Sequence, residues 1–253
     1  MNIDLAGKTA IVTGATGQLG RTIARSLAQC GADMAVHYLK NQEKANELVQ
    51  DIAAMGRKAI AVQADVADQP SVNRMAQRVV AELGAPQIVV NCAVSQYTWT
   101  SVLEQDPKDY VDQFDTCVMH NVLMAKAFIP HMVKARYGRF IGINTECVMQ
   151  CLPGQSAYVA GKRGMDGVYR ILAREVGMHG ITVNQVAPGW TISDRERESG
   201  VKPSPDYTSH VALNRRGTDQ EIANAVAFLA SDLAAFITGV YLPVCGGYVM
   251  PAI

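Results

Sequence analysis

A parallel α/β sheet wound in both directions, with helices on both faces, is the fold class this sequence predicts. Seven short runs rich in apolar and β-branched residues alternate with longer amphipathic stretches. Strands that are apolar throughout need cover on both faces, and helical segments between them supply right-handed crossovers. No internal repeat, low-complexity tract or Pro/Gly-rich linker interrupts the series, so residues 1–253 are expected to form one domain.

The first strand is read at Lys8 to Thr13, around Ala10-Ile11-Val12. A glycine-rich turn follows, and the residues from there to Gly31 carry a helical pattern. The second strand spans Asp33 to Tyr38, the third Lys58 to Gln63 and the fourth Gln87 to Asn91. Helices are expected over Asp106 to Arg136 and Ser156 to Gly177, on either side of a fifth strand at Arg139 to Asn144. The sixth strand is Thr182 to Val186 and the last Val240 to Val244. Between these two lies a polar connection, 191–210, with a charged run at 193–200 and prolines at 203 and 205. It leaves a strand at its carboxyl end, the ligand side of such sheets, which predicts a lid carrying a short charged surface helix.

Lysine and arginine balance aspartate and glutamate at a formal net charge of zero, with no long run of one sign. Nucleic acid and anionic membranes are therefore not expected partners, and a small ligand is. The first residues carry no basic segment leading into an apolar one, and no apolar stretch is long enough to span a bilayer; a soluble, cytoplasmic chain is expected. Six cysteines lie mostly in apolar segments without a CxxC pair, which reads as reduced thiols and no metal site.

Thr13-Gly14-Ala15-Thr16-Gly17-Gln18-Leu19-Gly20 follows the first strand and opens a helix. Glycines there permit a tight turn and close approach of backbone to a pyrophosphate, while the helix N-terminus presents unpaired N–H groups. The end of the second strand reads His37-Tyr38-Leu39-Lys40-Asn41, with no carboxylate for a ribose 2′-hydroxyl and with Lys40 placed to meet a 2′-phosphate. NADP(H) is thus preferred, and NAD(H) stays open. Tyr158 and Lys162 stand four apart in a helical segment and share a face. A lysine beside a tyrosine favours the phenolate, so a lowered Tyr158 pKa is expected, suited to moving a proton.

These residues, with Asp65-Val66-Ala67-Asp68, Asn91-Cys92-Ala93-Val94, Asn184 to Gly189 and Gly246-Gly247 in order along the chain, resemble the short-chain dehydrogenases/reductases from end to end. The resemblance implies a Rossmann-like NAD(P)-binding oxidoreductase domain that interconverts a carbonyl and a secondary alcohol by hydride transfer. By that resemblance Tyr158 is the general acid/base, Lys162 holds the nicotinamide ribose, and Thr145 takes the place of the usual serine. Gly14, Thr16, Gly17, Gln18, Leu19 and Gly20 would cradle the pyrophosphate, Tyr38 and Lys40 would stand at the adenosine ribose, and Asp65 and Val66 would flank the adenine. Asn91 and Ala93 would line the ribose, and Pro188, Gly189, Thr191 and Ser193 would hold the carboxamide side.

Departures from the family pattern concentrate at the reacting end. Cys117 occupies the place of an asparagine that helps hold a relay water, with Asn121 one helical turn on. Gln18 replaces the usual middle glycine, a turn similar to that of the larger, epimerase-like branch. A cofactor-binding homologue with little or no turnover, in a regulatory or scaffold role, is the rival reading. Gln96, Tyr97, Trp99, Glu146, Gln155 and Trp190 are placed to face substrate, and suit either a polyol-like compound or a β-ketoacyl thioester. Apolar residues on several faces of the long helices, Val118, Leu123 and Ile171 among them, together with the resemblance, point to a homotetramer.

Overall fold

The computed structural model describes residues 2–251; Met1, Ala252 and Ile253 of the expected domain lie outside the described residues. Seven strands form one sheet: β1 (Thr9–Val12), β2 (Asp33–Tyr38), β3 (Ala59–Gln63), β4 (Ile88–Asn91), β5 (Gly138–Ile143), β6 (Ile181–Pro188) and β7 (Tyr241–Val244). Their order is β3-β2-β1-β4-β5-β6-β7 and each neighbouring pair is parallel. Every expected strand is present, with ends shifted by no more than a residue or two.

Alternation of side chains along the strands divides the core into two layers. Ala10 and Val12 of β1, Met34 and Val36 of β2 and Val90 of β4 pack against Ile23 and Leu27 of α1 (Gln18–Gln29), Leu48 of α2 (Gln42–Ala54) and Val226 of the helix before β7. Ile11, Ala35 and Val89 turn the other way. They meet Val72 and Val79 of α3 (Gln69–Leu83) and, beyond a short α4 (Pro107–Phe114), Met124 and Phe128 of α5 (His120–Ala135). The five inner strands are thus buried on both faces, which is why their runs read as continuously apolar, while the edge strands β3 and β7 are only partly covered.

The chain order reverses direction beside β1, whose neighbours are β2 on one side and β4 on the other. Loops leaving the two central strands diverge there and open a crevice at their carboxyl ends. After β5 come a single helical turn, α6 (Cys147–Gln150), and the long α7 (Ser156–Val176). The polar connection folds into α8 (Asp194–Ser199) and α9 (Pro205–Thr208), and α10 (Asp219–Ala230) leads to β7. Ser193 and Glu196 close a reciprocal capping box at the start of α8, so the charged run forms the short helix its composition suggests.

One irregularity bears on the site. Between α4 and α5 the helix passes through a π-helical turn, Asp115–Met119, with the buried Cys117 at its centre. The wider turn shifts the helical register of α5 relative to α4.

Candidate active site

The glycine turn is built by close packing. Gly14 has φ +64, and a Cβ added to it would stand 2.9 Å from the Ala93 Cα, so the loops after β1 and β4 meet backbone to backbone. The Thr13 hydroxyl accepts from the N–H groups of Cys92 (2.9 Å) and Ala93 (3.2 Å) and holds that junction. A side chain at Gly20 would likewise run into the Gly14 carbonyl, so the first turn of α1 lies directly on the loop. Five other helices, α2, α3, α4, α8 and α10, have a side chain capping their N-terminus, whereas α1 has none and no acidic residue in its first turn. An uncapped positive helix end facing a glycine cradle fits the pyrophosphate of a dinucleotide.

A cavity of about 720 Å³ runs from this cradle across the crevice. Its lining includes Gly14, Thr16, Gly17, Gln18, Leu19, Gly20, Lys40, Asp65, Val66, Ala93, Thr145, Tyr158, Lys162, Pro188 and Gly189. The expected residues Tyr38, Asn91, Thr191 and Ser193 stand elsewhere. Tyr38 is buried in the α1-side core, because the alternation of β2 turns it into the sheet's apolar layer. Asn91 donates from Nδ2 to the Tyr169 hydroxyl at 3.0 Å, inside the opposite layer. Thr191 gives its carbonyl to Arg216 at 2.7 Å, and Ser193 caps α8.

His37, adjacent to Tyr38, takes the position at the cradle. Its Nδ1 accepts the Gly14 N–H at 2.9 Å and its Nε2 pairs with the Ala64 carbonyl at 3.0 Å. Burial drops its pKa to about 4, against a smaller upward pull from the Ala64 carbonyl, so the neutral ring is the form that fits both bonds. Only the signature of a polar residue inside an apolar strand marks it in the sequence.

Gln18 also has an unforeseen partner. Its Nε2 donates to the Ile192 carbonyl at 2.8 Å and its Oε1 accepts the Asp194 N–H at 3.0 Å, which ties the glycine turn to the start of the 191–210 segment. Arg21 pairs with Asp194, and Arg197 bridges Asp194 and Asp219 at 2.8 Å each, so the same junction carries a charge network.

At the inner end of the cavity, Thr145 follows β5, and Tyr158 and Lys162 rise from the first turns of α7. Asn144 fixes this corner. Its Nδ2 donates to the Lys162 carbonyl (3.1 Å) and to Gln185 Oε1 (2.6 Å), while its Oδ1 accepts the Thr145 N–H (2.9 Å). The Thr145 hydroxyl accepts from the Cys147 N–H at 3.2 Å, leaving its own O–H to donate into the cavity. Lys162 is buried, with Nζ 2.5 Å from the Ile143 carbonyl and 5.7 Å from the centre of the Tyr158 ring.

The expectation of a lowered tyrosine pKa is not met in this arrangement. Protein atoms surround the phenol except where it faces the pocket, and that burial pushes its pKa above the ordinary value; the Thr145 hydrogen bond opposes the shift. Lys162 does not offset the burial because its ammonium is turned toward Ile143. Cys117 offers no amide: its Sγ lies 3.6 Å from Gln113 Oε1. Asn121 does reach inward, but its Nδ2 donates to the Cys117 carbonyl (2.6 Å) and its Oδ1 accepts from Tyr169 (2.7 Å), so it completes a buried Asn91–Tyr169–Asn121 chain.

A second cavity of about 460 Å³ adjoins the first and shares Ser95, Gln96, Thr145, Tyr158, Pro188 and Gly189 with it. Tyr97, Trp99, Glu146, Gln155, Trp190 and Tyr207 complete much of its wall, so all the substrate-facing candidates come together. Trp99 stacks on Tyr158 with centroids 5.9 Å apart, and Trp190 meets Tyr207 edge-on at 5.3 Å. Burial pushes the Glu146 carboxyl above its usual range, opposed first by the Tyr207 hydroxyl, which donates to Oε1 at 2.8 Å.

The chain matches the family model described as enoyl-(acyl carrier protein) reductase over residues 14–249. It is 38% identical over 245 residues to the 3-oxoacyl-[acyl-carrier-protein] reductase FabG of Staphylococcus aureus Mu50, covering 96% of this chain and 98% of the relative. This protein is a short-chain dehydrogenase/reductase. The Escherichia coli K12 FabG is 36% identical over 248 residues, 98% of this chain and all of that one. Among solved structures, a blue fluorescent protein from a metagenomic library in complex with NADPH superimposes with a TM-score of 0.88 at 32% identity, covering 98% of this chain and all of the other. A Serratia marcescens short-chain dehydrogenase/reductase variant gives 0.89 at 29% identity over 96% of this chain and 98% of its own. As a member of this family the chain is an NAD(P)-dependent carbonyl reductase acting on small molecules. Among the described residues, no helix is long and apolar enough to cross a membrane, and no cluster of His, Cys, Asp and Glu is placed to hold a metal.

Proposed function

We propose that this short-chain dehydrogenase/reductase is an NADP(H)-dependent enzyme that interconverts a ketone and a secondary alcohol, with Tyr158 as general acid/base. The observation that carries the reading is the convergence of Thr145, Tyr158 and Lys162 where the dinucleotide-sized cavity and the aromatic pocket join. NADPH, when bound, supplies the hydride. Tyr158, a phenol and so protonated at neutral pH, gives its proton to the carbonyl oxygen. The Thr145 O–H donates to the same oxygen and orients it, and Lys162, whose ammonium stands on the Ile143 carbonyl, would hold the nicotinamide ribose. Lys40 lines the far end of the cavity, makes no ion pair among the described residues and has Leu39 and Asn41 as neighbours, so a 2′-phosphate meets a cation and no carboxylate. The NADPH-bound structural neighbour supports the same preference.

Residues 191–210 serve in this reading as the lid over a single catalytic domain, held down by Gln18 at one end and by Tyr207 at the other. Exposed Val111 and Phe114 on α4 and Ile171 on α7 supply an apolar face for assembly into a homotetramer, checked by light scattering. The deciding experiment follows NADPH absorbance with a panel of ketones and compares the protein with Tyr158→Phe. Consumption that vanishes in the variant while NADPH still binds is the expected result. Equal turnover in Tyr158→Phe removes that residue from the chemistry.

A further inference from the structure

The helix that carries Tyr158 and Lys162, α7, starts without a side-chain cap: Gln155 at its N-cap makes no such bond, and the first intrahelical bond runs from the Val159 N–H to the Gln155 carbonyl at 2.8 Å. The N–H of Tyr158 therefore has no partner within the helix. It donates instead to the Tyr97 hydroxyl at 2.8 Å, supplied by the loop after β4. Two residues on, Trp99 lays its ring on that of Tyr158, so one loop holds this residue by backbone and by side chain. The loop is itself held from behind. Gln113, fully buried, donates from Nε2 to the Ser95 carbonyl (3.0 Å) and hydroxyl (2.8 Å). Gln105 donates to the Thr98 carbonyl (3.1 Å) and accepts the Thr100 N–H (3.1 Å), one bond on either side of Trp99. One turn further along α7, Asn144 fixes the Lys162 carbonyl. The turn of helix that bears the phenol is thus pinned at both ends, by Tyr97 and by Asn144.

On this basis, and resting on the reductase reading above, we infer that Tyr97 is a positioning residue for the proton transfer: its hydroxyl, by accepting the Tyr158 N–H, sets where the Tyr158 phenol stands against the carbonyl oxygen. Tyr97 acts through Tyr158 rather than on the reacting atoms. Reacting groups must be aligned closely, and a displacement of about 1 Å can cost roughly 100-fold in rate. Phenylalanine at 97 keeps the aromatic wall of the pocket and removes only the acceptor, which leaves the Tyr158 N–H unheld at the open end of the helix.

The test compares the protein with Tyr97→Phe, using the panel ketone that the wild-type chain reduces fastest, cyclohexanone and ethyl acetoacetate being among those tried. Hydride transfer in a single turnover, counted per bound NADPH, should slow about tenfold, while KM for the ketone changes less than about twofold. NADPH affinity and binding stoichiometry should stay as they are, because Tyr97 does not line the cofactor cavity. A raised KM with an unchanged rate makes Tyr97 a substrate contact and overturns the inference. An unchanged rate and KM overturn it too, as does a loss of activity fully matched by a loss of NADPH-binding sites, the mark of a merely structural role. Hydrogen exchange at the Tyr158 amide, followed by NMR with isotope-labelled tyrosine, reads the bond without turnover. Exchange at least about tenfold faster in Tyr97→Phe, with the other tyrosine amides unchanged, supports the inference even if no ketone is reduced, an outcome that counts against the reductase reading alone. Equal exchange in the two proteins overturns the inference and leaves the reductase reading standing.

Discussion

Acid should weaken this protein through His37. The ring is buried, accepts the Gly14 N–H, pairs with the Ala64 carbonyl and has a pKa of about 4. An unfolded histidine titrates near 6.5, so between pH 6.5 and 4 the unfolded chain holds a proton that the native chain does not. Stability is therefore fully present above about pH 6.5 and is lost as pH falls toward 4, with a total near 3 kcal/mol. Between pH 7 and pH 5 the loss from this one group is about 2 kcal/mol. His120, buried with a pKa of about 3, adds a loss of the same sign, so the wild-type slope alone does not isolate His37. The perturbation is His37→Gln, which keeps an acceptor and a donor while removing the titration. Urea unfolding followed by tryptophan fluorescence at pH 7 and pH 5 should show the variant losing about 2 kcal/mol less than wild type, a midpoint difference of roughly 1 M. Parallel pH dependence in the two proteins would refute the neutral, doubly bonded His37.

Three further substitutions probe the remaining parts of the site and its support. Lys40→Ala should weaken NADPH about tenfold and NADH little in fluorescence titration; equal weakening rejects a 2′-phosphate contact. Thr145→Val keeps the branched shape and removes the O–H, so kcat should fall on the order of 100-fold with NADPH affinity unchanged, and near-wild-type turnover would show that the hydroxyl is idle. Tyr169→Phe leaves Asn91 Nδ2 and Asn121 Oδ1 unpaired in the core, which should cost about 1–3 kcal/mol in urea unfolding, and an unchanged midpoint would mean the chain of three contributes nothing.

Burial explains how legible the fold was in the sequence. Strands covered on both faces must be apolar throughout, and β2 and β4 could be bounded almost to the residue. The glycine cradle and the Tyr158/Lys162 pair were equally plain, because backbone sterics and helical spacing are local properties. The features that escaped depended on direction and distance. Tyr38 and His37 are neighbours on one strand, and the pleat alone decides which faces the cradle. Asn91 sits at the right place in the chain, yet its amide is turned to Tyr169, a partner 78 residues away. Lys162 has the spacing to tune Tyr158, but its ammonium is drawn to the Ile143 carbonyl, a contact that helical periodicity does not encode.

Gln18 sets a condition on any attempt to rebuild this enzyme by exchanging parts. Its amide is spent at both ends on backbone groups of the 191–210 segment, Ile192 and Asp194. A segment transplanted from a parent with glycine at this place would arrive with no side-chain amide to meet, and a glycine placed at 18 would remove both of these bonds and leave the native segment held by the Asp194 ion pairs and by Tyr207 on Glu146. The glycine turn and the 191–210 segment are therefore one module for engineering, and chimaeras should take both from the same parent.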